Sequence, residues 1–244
     1  MSVKILGHRG YKSLYPENTT LAINRAFELC DGVEFDIQKT ADGHFVIIHD
    51  DTVDRTSDGM GRVDQLLLED LKKMDFGQGE RICTLNELLQ SAPHDKILNI
   101  ELKHETIRTG DSAILIDMIK NTINPQRVVV SSFNPVLLYP FVNAGIKTGY
   151  LIGDKNFKYD FKTVFQTVIS LKPYYMNLPI AIYTDYSPMK RFLFFLFIKL
   201  YKKGIIYWTV NSQQEFNCAI KNADMIITNE VEKIRFLLKG EKNA

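Results

Sequence analysis

Val33-Glu34-Phe35-Asp36-Ile37-Gln38-Lys39-Thr40-Ala41-Asp42-Gly43-His44-Phe45-Val46-Ile47-Ile48-His49-Asp50 is the stretch that decides how the rest of the chain is read. Glu34 and Asp36 alternate with Val33, Phe35 and Ile37, and alternate residues of a strand share a face. Two carboxylates on one face repel each other unless a cation or a protonated group sits between them. Asp42-Gly43 is a preferred two-residue hairpin turn. With those two residues as the loop, Ala41 pairs with His44, and counting back along both arms sets Asp36 opposite His49. A titratable imidazole then neighbours the paired acids, which predicts a metal site with an acid/base group beside it.

Outward from this stretch, strands alternate with helices. Val3 to Gly7 is a short apolar run ending in glycine, followed by His8-Arg9-Gly10. A helix is expected from about Thr19 to Cys30, with Asn18 as its N-cap. Two short helices follow the opening stretch, near Gln65–Met74 and Leu85–Gln90, the second with Thr84 and Glu87 as a capping box. Further strands are expected to end near Lys103, Ser132, Leu151, Asn177, Val210 and Thr228, with helices between them. That makes nine candidate strands in all. The one ending at His49 follows its predecessor through a tight turn, so it cannot be a parallel neighbour. Removing it leaves eight, the number of an α/β fold of the (β/α)₈ or TIM-barrel type. Residues 1–244 read as one domain, with 51–91 as a small insertion between the second and third barrel strands.

Barrel enzymes carry their chemistry at the carboxyl ends of the strands. His8-Arg9, Glu34 and Asp36, Glu101 and Lys103, Ser132, Trp208 and Asn211 all fall there. Each residue alone has a duller reading. A strand-end histidine is usually a hydrogen-bonded surface group, Glu34 and Asp36 could be salt-bridged to Arg9 and Lys103, and Trp208 could be core. Convergence on one rim argues for the set. His44, His94 and His104 read as structural or exposed.

The formal charge of +1 offers no electrostatic reason to expect nucleic acid. Cys30, Cys83 and Cys218 are odd in number and widely separated, which fits a reducing compartment. The amino terminus lacks a long apolar core, so no signal peptide is expected and the cytoplasm is the default.

The motifs His8-Arg9-Gly10, Pro16-Glu17-Asn18-Thr19, Glu34-x-Asp36, Asp42-Gly43 and His49-Asp50 together resemble the signature of glycerophosphodiester phosphodiesterases. Arg55-Thr56, Gly59-x-Gly61, Thr84-Leu85-x-Glu87, Glu101-x-Lys103, Ser132-Phe133 and Trp208-Thr209-Val210-Asn211 continue it. The resemblance implies a (β/α)₈ barrel that hydrolyses small-molecule glycerophosphodiesters to glycerol 3-phosphate and an alcohol. It also implies a divalent cofactor, Ca2+ or Mg2+, with Glu34, Asp36 and Glu101 as metal carboxylates. His8 and His49 then resemble the acid/base pair, Arg9 and Lys103 the phosphate-binding cations, and Phe133 and Trp208 the aromatics of the substrate groove. Two positions depart from the family pattern: Asn229 stands where the last strand commonly ends in Asp, and Cys83 where Pro is common before Thr84.

These residue types suit the chemistry. A hard divalent ion accepts carboxylate oxygens and neutralises phosphoryl charge. Arg9 can grip two phosphate oxygens, Lys103 adds a point charge, and imidazoles take and return protons near neutral pH. Attack by the glycerol 2-hydroxyl through a cyclic phosphate, or directly by water, both fit the residues. Rival readings are a lysophospholipase D acting on lipid phosphodiesters, a phosphoinositide-type phospholipase C, and a catalytically silent binding barrel. One segment stands apart. Lys190 to Lys203 is apolar almost all round between basic ends. It reads as a deeply buried barrel helix or, alternatively, as a hydrophobic patch around Phe192–Ile198 for membrane-surface docking or dimerisation.

Overall fold

Eight parallel strands close on themselves in the computed structural model, which describes residues 3–153 and 161–241. The elements run β1 (Lys4–His8), α1 (Thr20–Leu29), β2 (Gly32–Lys39), β3 (Phe45–Ile47), α2 (Leu68–Leu71), α3 (Leu85–Ser91), β4 (Ile97–Leu102), α4 (Ser112–Thr122) and β5 (Val128–Ser132). They continue α5 (Tyr139–Asn143), β6 (Lys147–Leu151), α6 (Phe161–Leu171), β7 (Tyr175–Pro179), α7 (Ile182–Asp185), α8 (Pro188–Leu200), β8 (Gly204–Trp208), α9 (Gln213–Ala219), β9 (Met225–Thr228) and α10 (Val231–Glu241). β1 pairs with both β2 and β9, which closes the barrel, while β3 pairs antiparallel with the far end of β2.

Side-chain alternation sorts the strands into two faces. Leu6, Val129, Tyr175, Ile206, Met225 and Ile227 form one apolar cluster, the plug inside the barrel. The opposite strand faces join the large cluster beneath the helices, as Ile5, Phe35, Ile100, Val130 and Ile226 do. Buried polar residues follow on the same inward alternation: Ser131 lies two residues beyond the plug's Val129 on β5, level with Glu101 on β4, which is itself level with Asp36 on β2. Filling the barrel from below with hydrocarbon thus leaves its upper layers for charge.

The hairpin differs from the expected register by one residue. Thr40 N–H donates to the His44 carbonyl at 2.9 Å and Gly43 N–H to the Thr40 carbonyl at 3.1 Å, so the loop is Ala41-Asp42-Gly43 rather than Asp42-Gly43. The ladder pairs Ile37 with Ile47 and Lys39 with Phe45, and Ile48 N–H donates to the Asp36 carbonyl at 3.0 Å. Asp36 therefore faces Ile48, not His49. Both faces of β3 are apolar in use: Phe45 and Ile47 join the main core, while Val46 and Ile48 join a second cluster with Val53, Val63, Leu71, Phe76 and Ile82. With no polar alternation to specify register, turn geometry set it. Gly43, at φ +87°, supplies the left-handed residue that a three-residue hairpin loop requires.

Other expectations shift less. The N-cap of α1 is Thr19, whose hydroxyl accepts from Ala22 N–H, because Asn18 is used elsewhere. The helix expected over Gln65–Met74 is a 3₁₀ turn at Val63–Gln65 followed by the short α2. α3 has the Thr84–Glu87 capping box as read. α8 is not buried all round: Phe194 and Ile198 are its buried residues, each anchor worth about 1.5–3 kcal/mol, and Phe192, Leu193 and Leu196 are exposed. Among the described residues, no helix is long and apolar enough to cross a membrane.

Candidate active site

The path from β1 to α1 places the first groups. Arg9 and Gly10 both adopt positive φ, 53° and 82°, turning the chain sharply off the end of β1. A side chain at Gly10 would put its Cβ 2.6 Å from the Ala22 carbonyl carbon, so this turn packs against α1 as only glycine allows. Arg9 N–H donates to Glu34 Oε2 at 3.1 Å, and its guanidinium reaches Glu17 Oε1 at 2.9 Å and lies 3.3 Å from Asp36 Oδ2. Asn18, itself at φ 59°, donates its amide to Asp36 Oδ2 at 3.0 Å.

Glu34, Asp36 and Glu101 come from adjacent strands, β2 and β4, with Asp36 level with Glu101. All three are buried, and one oxygen from each lies within 4.8 Å of the others. Lys103 Nζ sits among them, 2.8 Å from Asp36 Oδ1 and in contact with Glu101 Oε1. Burial disfavours charge on Asp36, but Lys103 and Arg9 overcome it and hold this carboxyl well below the ordinary range. Glu34 goes the other way: burial and then the charges of Asp36 and Glu101 push it well above its ordinary value. Glu101 is raised for the same first reason, despite Lys103. Lys103 is held protonated by the two acids against the cost of its burial. An all-carboxylate donor set with two members reluctant to ionise fits a hard divalent cation such as Ca2+ or Mg2+.

The two histidines have unlike partners. His8 Nδ1 meets Asn229 Oδ1 at 2.7 Å, and its Nε2 lies 3.8 Å from Glu34 Oε2. Burial, then the charges of Arg9 and Lys12, lower its pKa to about 3. His49 Nδ1 meets Asp50 Oδ1 at 2.6 Å, and Asp50 Oδ2 accepts from Arg55 Nε at 2.5 Å. Burial lowers His49 too, with Asp36 opposing and Lys103 adding to the fall. Arg55 reaches on to Glu17 at 2.7 Å, so His49, Asp50, Arg55, Glu17, Arg9 and Asp36 form one polar path.

Both histidines line one cleft of about 470 Å³ together with Arg9, Glu34, Glu101 and Lys103. Phe133 and Trp208 line it as well, their rings edge to face at 5.7 Å. The residues given a catalytic, metal or substrate role thus line this cleft or, for Asp36, form ion pairs with Arg9 and Lys103. Ser132 and Asn211 do not line it: Ser132 Oγ donates to the Leu102 carbonyl and Asn211 Oδ1 accepts from Asn229 N–H. His49 reaches the cleft from beyond the β3 ladder, where its carbonyl accepts from Gln38 Nε2 at 3.1 Å, rather than from a strand position opposite Asp36. His44, His94 and His104 are exposed. Glu17, Asn18, Asp50 and Arg55 lie inside motifs quoted from the sequence, where Asn18 is read only as an N-cap and the other three have no role. Asn229 was noted only as a departure.

A closed parallel barrel with an acidic, histidine-flanked cleft at the carboxyl ends of its strands defines a (β/α)₈-barrel protein built for phosphoryl chemistry. The model of the Glycerophosphoryl diester phosphodiesterase family matches residues 8–233, and the chain belongs to that family. A glycerophosphodiester phosphodiesterase of Caldanaerobacter subterraneus is 34% identical to it, over 98% of this chain and 99% of that protein. The crystal structure of a glycerophosphodiester phosphodiesterase from Thermotoga maritima is similar at a TM-score of 0.82 and 28% identity, covering 97% of this chain and 99% of that one. An Oleispira antarctica phosphodiesterase, solved in complex with its product sn-glycerol-3-phosphate, shares the fold at a TM-score of 0.81 and 23% identity, over 97% and 96% of the two chains.

Proposed function

We propose that this protein hydrolyses glycerophosphodiesters to glycerol 3-phosphate and an alcohol, with Glu34, Asp36 and Glu101 holding Ca2+ or Mg2+ and His8 and His49 moving the protons. The observation that carries this reading is the meeting of three buried carboxylates and two histidines around one cleft in a member of this family. A divalent ion bound there supplies positive charge against the phosphoryl oxygens. Arg9 and Lys103 bring fixed cations to the same end of the cleft, and Phe133 and Trp208 wall the side that receives the rest of the substrate.

Burial lowers both histidines, but their unlike partners at Nδ1, a neutral amide for His8 and a carboxylate for His49, suggest a division of labour. Burial and the charges of Arg9 and Lys12 keep His8 unprotonated, and Asn229, a neutral partner at Nδ1, leaves Nε2 to take a proton from the attacking hydroxyl. Asp50, braced by Arg55, favours charge on His49, which suits the donor that protonates the leaving alkoxide. We read residues 1–244 as one catalytic domain with 51–91 as its inserted part. Three free cysteines accord with a reducing cytoplasm.

The test is glycerol 3-phosphate release from a panel of glycerophosphodiesters, after chelation and after adding back Ca2+ or Mg2+. Release that stops on chelation and returns with one ion is the expected result. A panel with no release under any metal condition overturns the assignment.

A further inference from the structure

α8 carries an apolar stripe on its outer side. Met189, Phe192, Leu193, Leu196 and Leu200 recur at the spacing of one helical face, and their exposure runs from 41% at Leu196 to 70% at Leu200. A barrel helix ordinarily presents polar residues there, and a row of this kind marks an interaction surface.

The setting of the stripe is strongly basic. Between Ser187 and Gly204 the chain has Lys190, Arg191, Lys199, Lys202 and Lys203 and no acid, although the whole chain is only +1. Arg191 is tied to the Tyr183 carbonyl. At the far end of α8, Lys202 and Lys203 border a groove of about 680 Å³ that Lys147 and Lys172 also line. Asp224 lines the groove too, with Oδ2 accepting from Ile205 N–H at 2.8 Å.

The ends of α6 and α8 add to this. α8 finishes in a Schellman motif, Lys203 N–H donating to the Ile198 carbonyl at 3.1 Å and Lys202 N–H to the Lys199 carbonyl at 3.0 Å. Lys202 has φ 52°, and Lys172, just after α6, has φ 53°. Glycine takes that conformation without steric penalty, yet both positions hold lysine and bring ammonium groups to one groove. Burial and then the charge of Lys172 lower the Lys203 amine, as expected where like charges crowd.

We propose that the outer face of α8 docks on an anionic membrane surface, with its apolar stripe in the interface and the lysine groove against lipid phosphates. The helix has 13 residues. At 1.5 Å per residue it spans roughly 20 Å, short of the ~30 Å hydrocarbon core, so it lies along the surface. A second copy of the chain fits less well. A twofold contact would set this lysine-rich face against itself.

Sedimentation with vesicles tests the proposal. The vesicles are phosphatidylcholine alone and phosphatidylcholine mixed with phosphatidylglycerol. The proteins are the full chain, a Phe192→Ser, Leu196→Ser variant, and a Lys190→Gln, Lys199→Gln, Lys202→Gln variant. Thermal melts and hydrolysis of a soluble glycerophosphodiester serve as folding controls, and light scattering gives the oligomeric state. The wild type should sediment with the phosphatidylglycerol vesicles and not with the neutral ones. The lysine variant should lose about tenfold or more of that partitioning, high salt should weaken binding, and the serine variant should also bind less. The lysine positions are exposed, so that variant decides the matter even where the serine pair lowers stability. Three results overturn the proposal: no sedimentation with anionic vesicles, equal binding by the wild type and the lysine variant, or a dimer that the serine variant dissociates.

Discussion

At the scale of single residues, the unlike partners of the two histidines make the site testable. His49→Ala should lower turnover of a glycerophosphodiester with an alkyl leaving group by about 10²–10⁴-fold. The loss should be much smaller on a p-nitrophenyl ester, whose leaving group needs no proton. An equal loss on both substrates, measured by initial rates, would remove the donor role from His49. Asn229→Asp places a carboxylate beside His8, which raises its pKa from about 3. The base must be neutral to act, so the acid-side limb of kcat/KM should move to higher pH; an unmoved limb argues that His8 does not act as the base. Much of this was legible in the sequence because reactive residues are rare and sit at strand ends. Their partners were not. Asn18 looks like an ordinary N-cap in one dimension, and only the folded chain brings its amide to Asp36, 18 positions away. Glu17 and Arg55 are 38 positions apart and meet only because the segment after β3 folds back over α1's approach.

At the scale of elements, strand and helix order was readable because apolar runs and cap residues are local signals. α3 began where Thr84 and Glu87 predicted, since both halves of a capping box lie within one turn. The hairpin register was not readable. Phe45-Val46-Ile47-Ile48 is apolar at every position, and two cores receive its two faces, so no alternation distinguishes one pairing from the next. Two variants separate turn geometry from turn identity. A Cβ at Gly43 meets nothing within 4 Å, so Gly43→Ala should cost only the strain of its positive φ, about 1–2 kcal/mol in chemical denaturation, and leave activity intact. Deleting Asp42 should invert the faces of β3 and remove activity, because the arm that delivers His49 then packs the wrong way. An active deletion variant would show that the register is not set by the turn. The two readings of α8, buried helix or hydrophobic patch, could not be separated in the sequence for a related reason. A run of apolar residues does not say which of them face inward.

At the scale of the whole molecule, charge in the cleft should govern stability against pH. Glu34 and Glu101 have folded-state pKa values raised above 4.5, so in chelated protein their contribution is fully present below that value and is lost as pH rises through the folded pKa. His8 is depressed from 6.5 to about 3, and Glu17 from 4.5 to about 2; their contributions are present above the ordinary values and are lost as pH falls toward the depressed ones. A divalent cation binds the ionised carboxylates, so it should raise the melting temperature more at pH 8 than at pH 5. In Glu34→Gln the increment should largely vanish. A metal-induced shift of equal size at both pH values would speak against the carboxylate site.

The contact between His8 and Asn229 joins residues 221 positions apart. β1 pairs with β9 as well as β2, so the strand made before every other barrel strand finds its second neighbour only after all of them. On the ribosome, the carboxylates of β2 and β4 can meet while the remainder is still being translated. His8 cannot gain its partner until β9 and Asn229 have been made. A chain halted or clipped before Met225 keeps most of the residues discussed above and yet has an open wall beside His8. Synthesis through β9 thus becomes a condition for closing the wall beside His8.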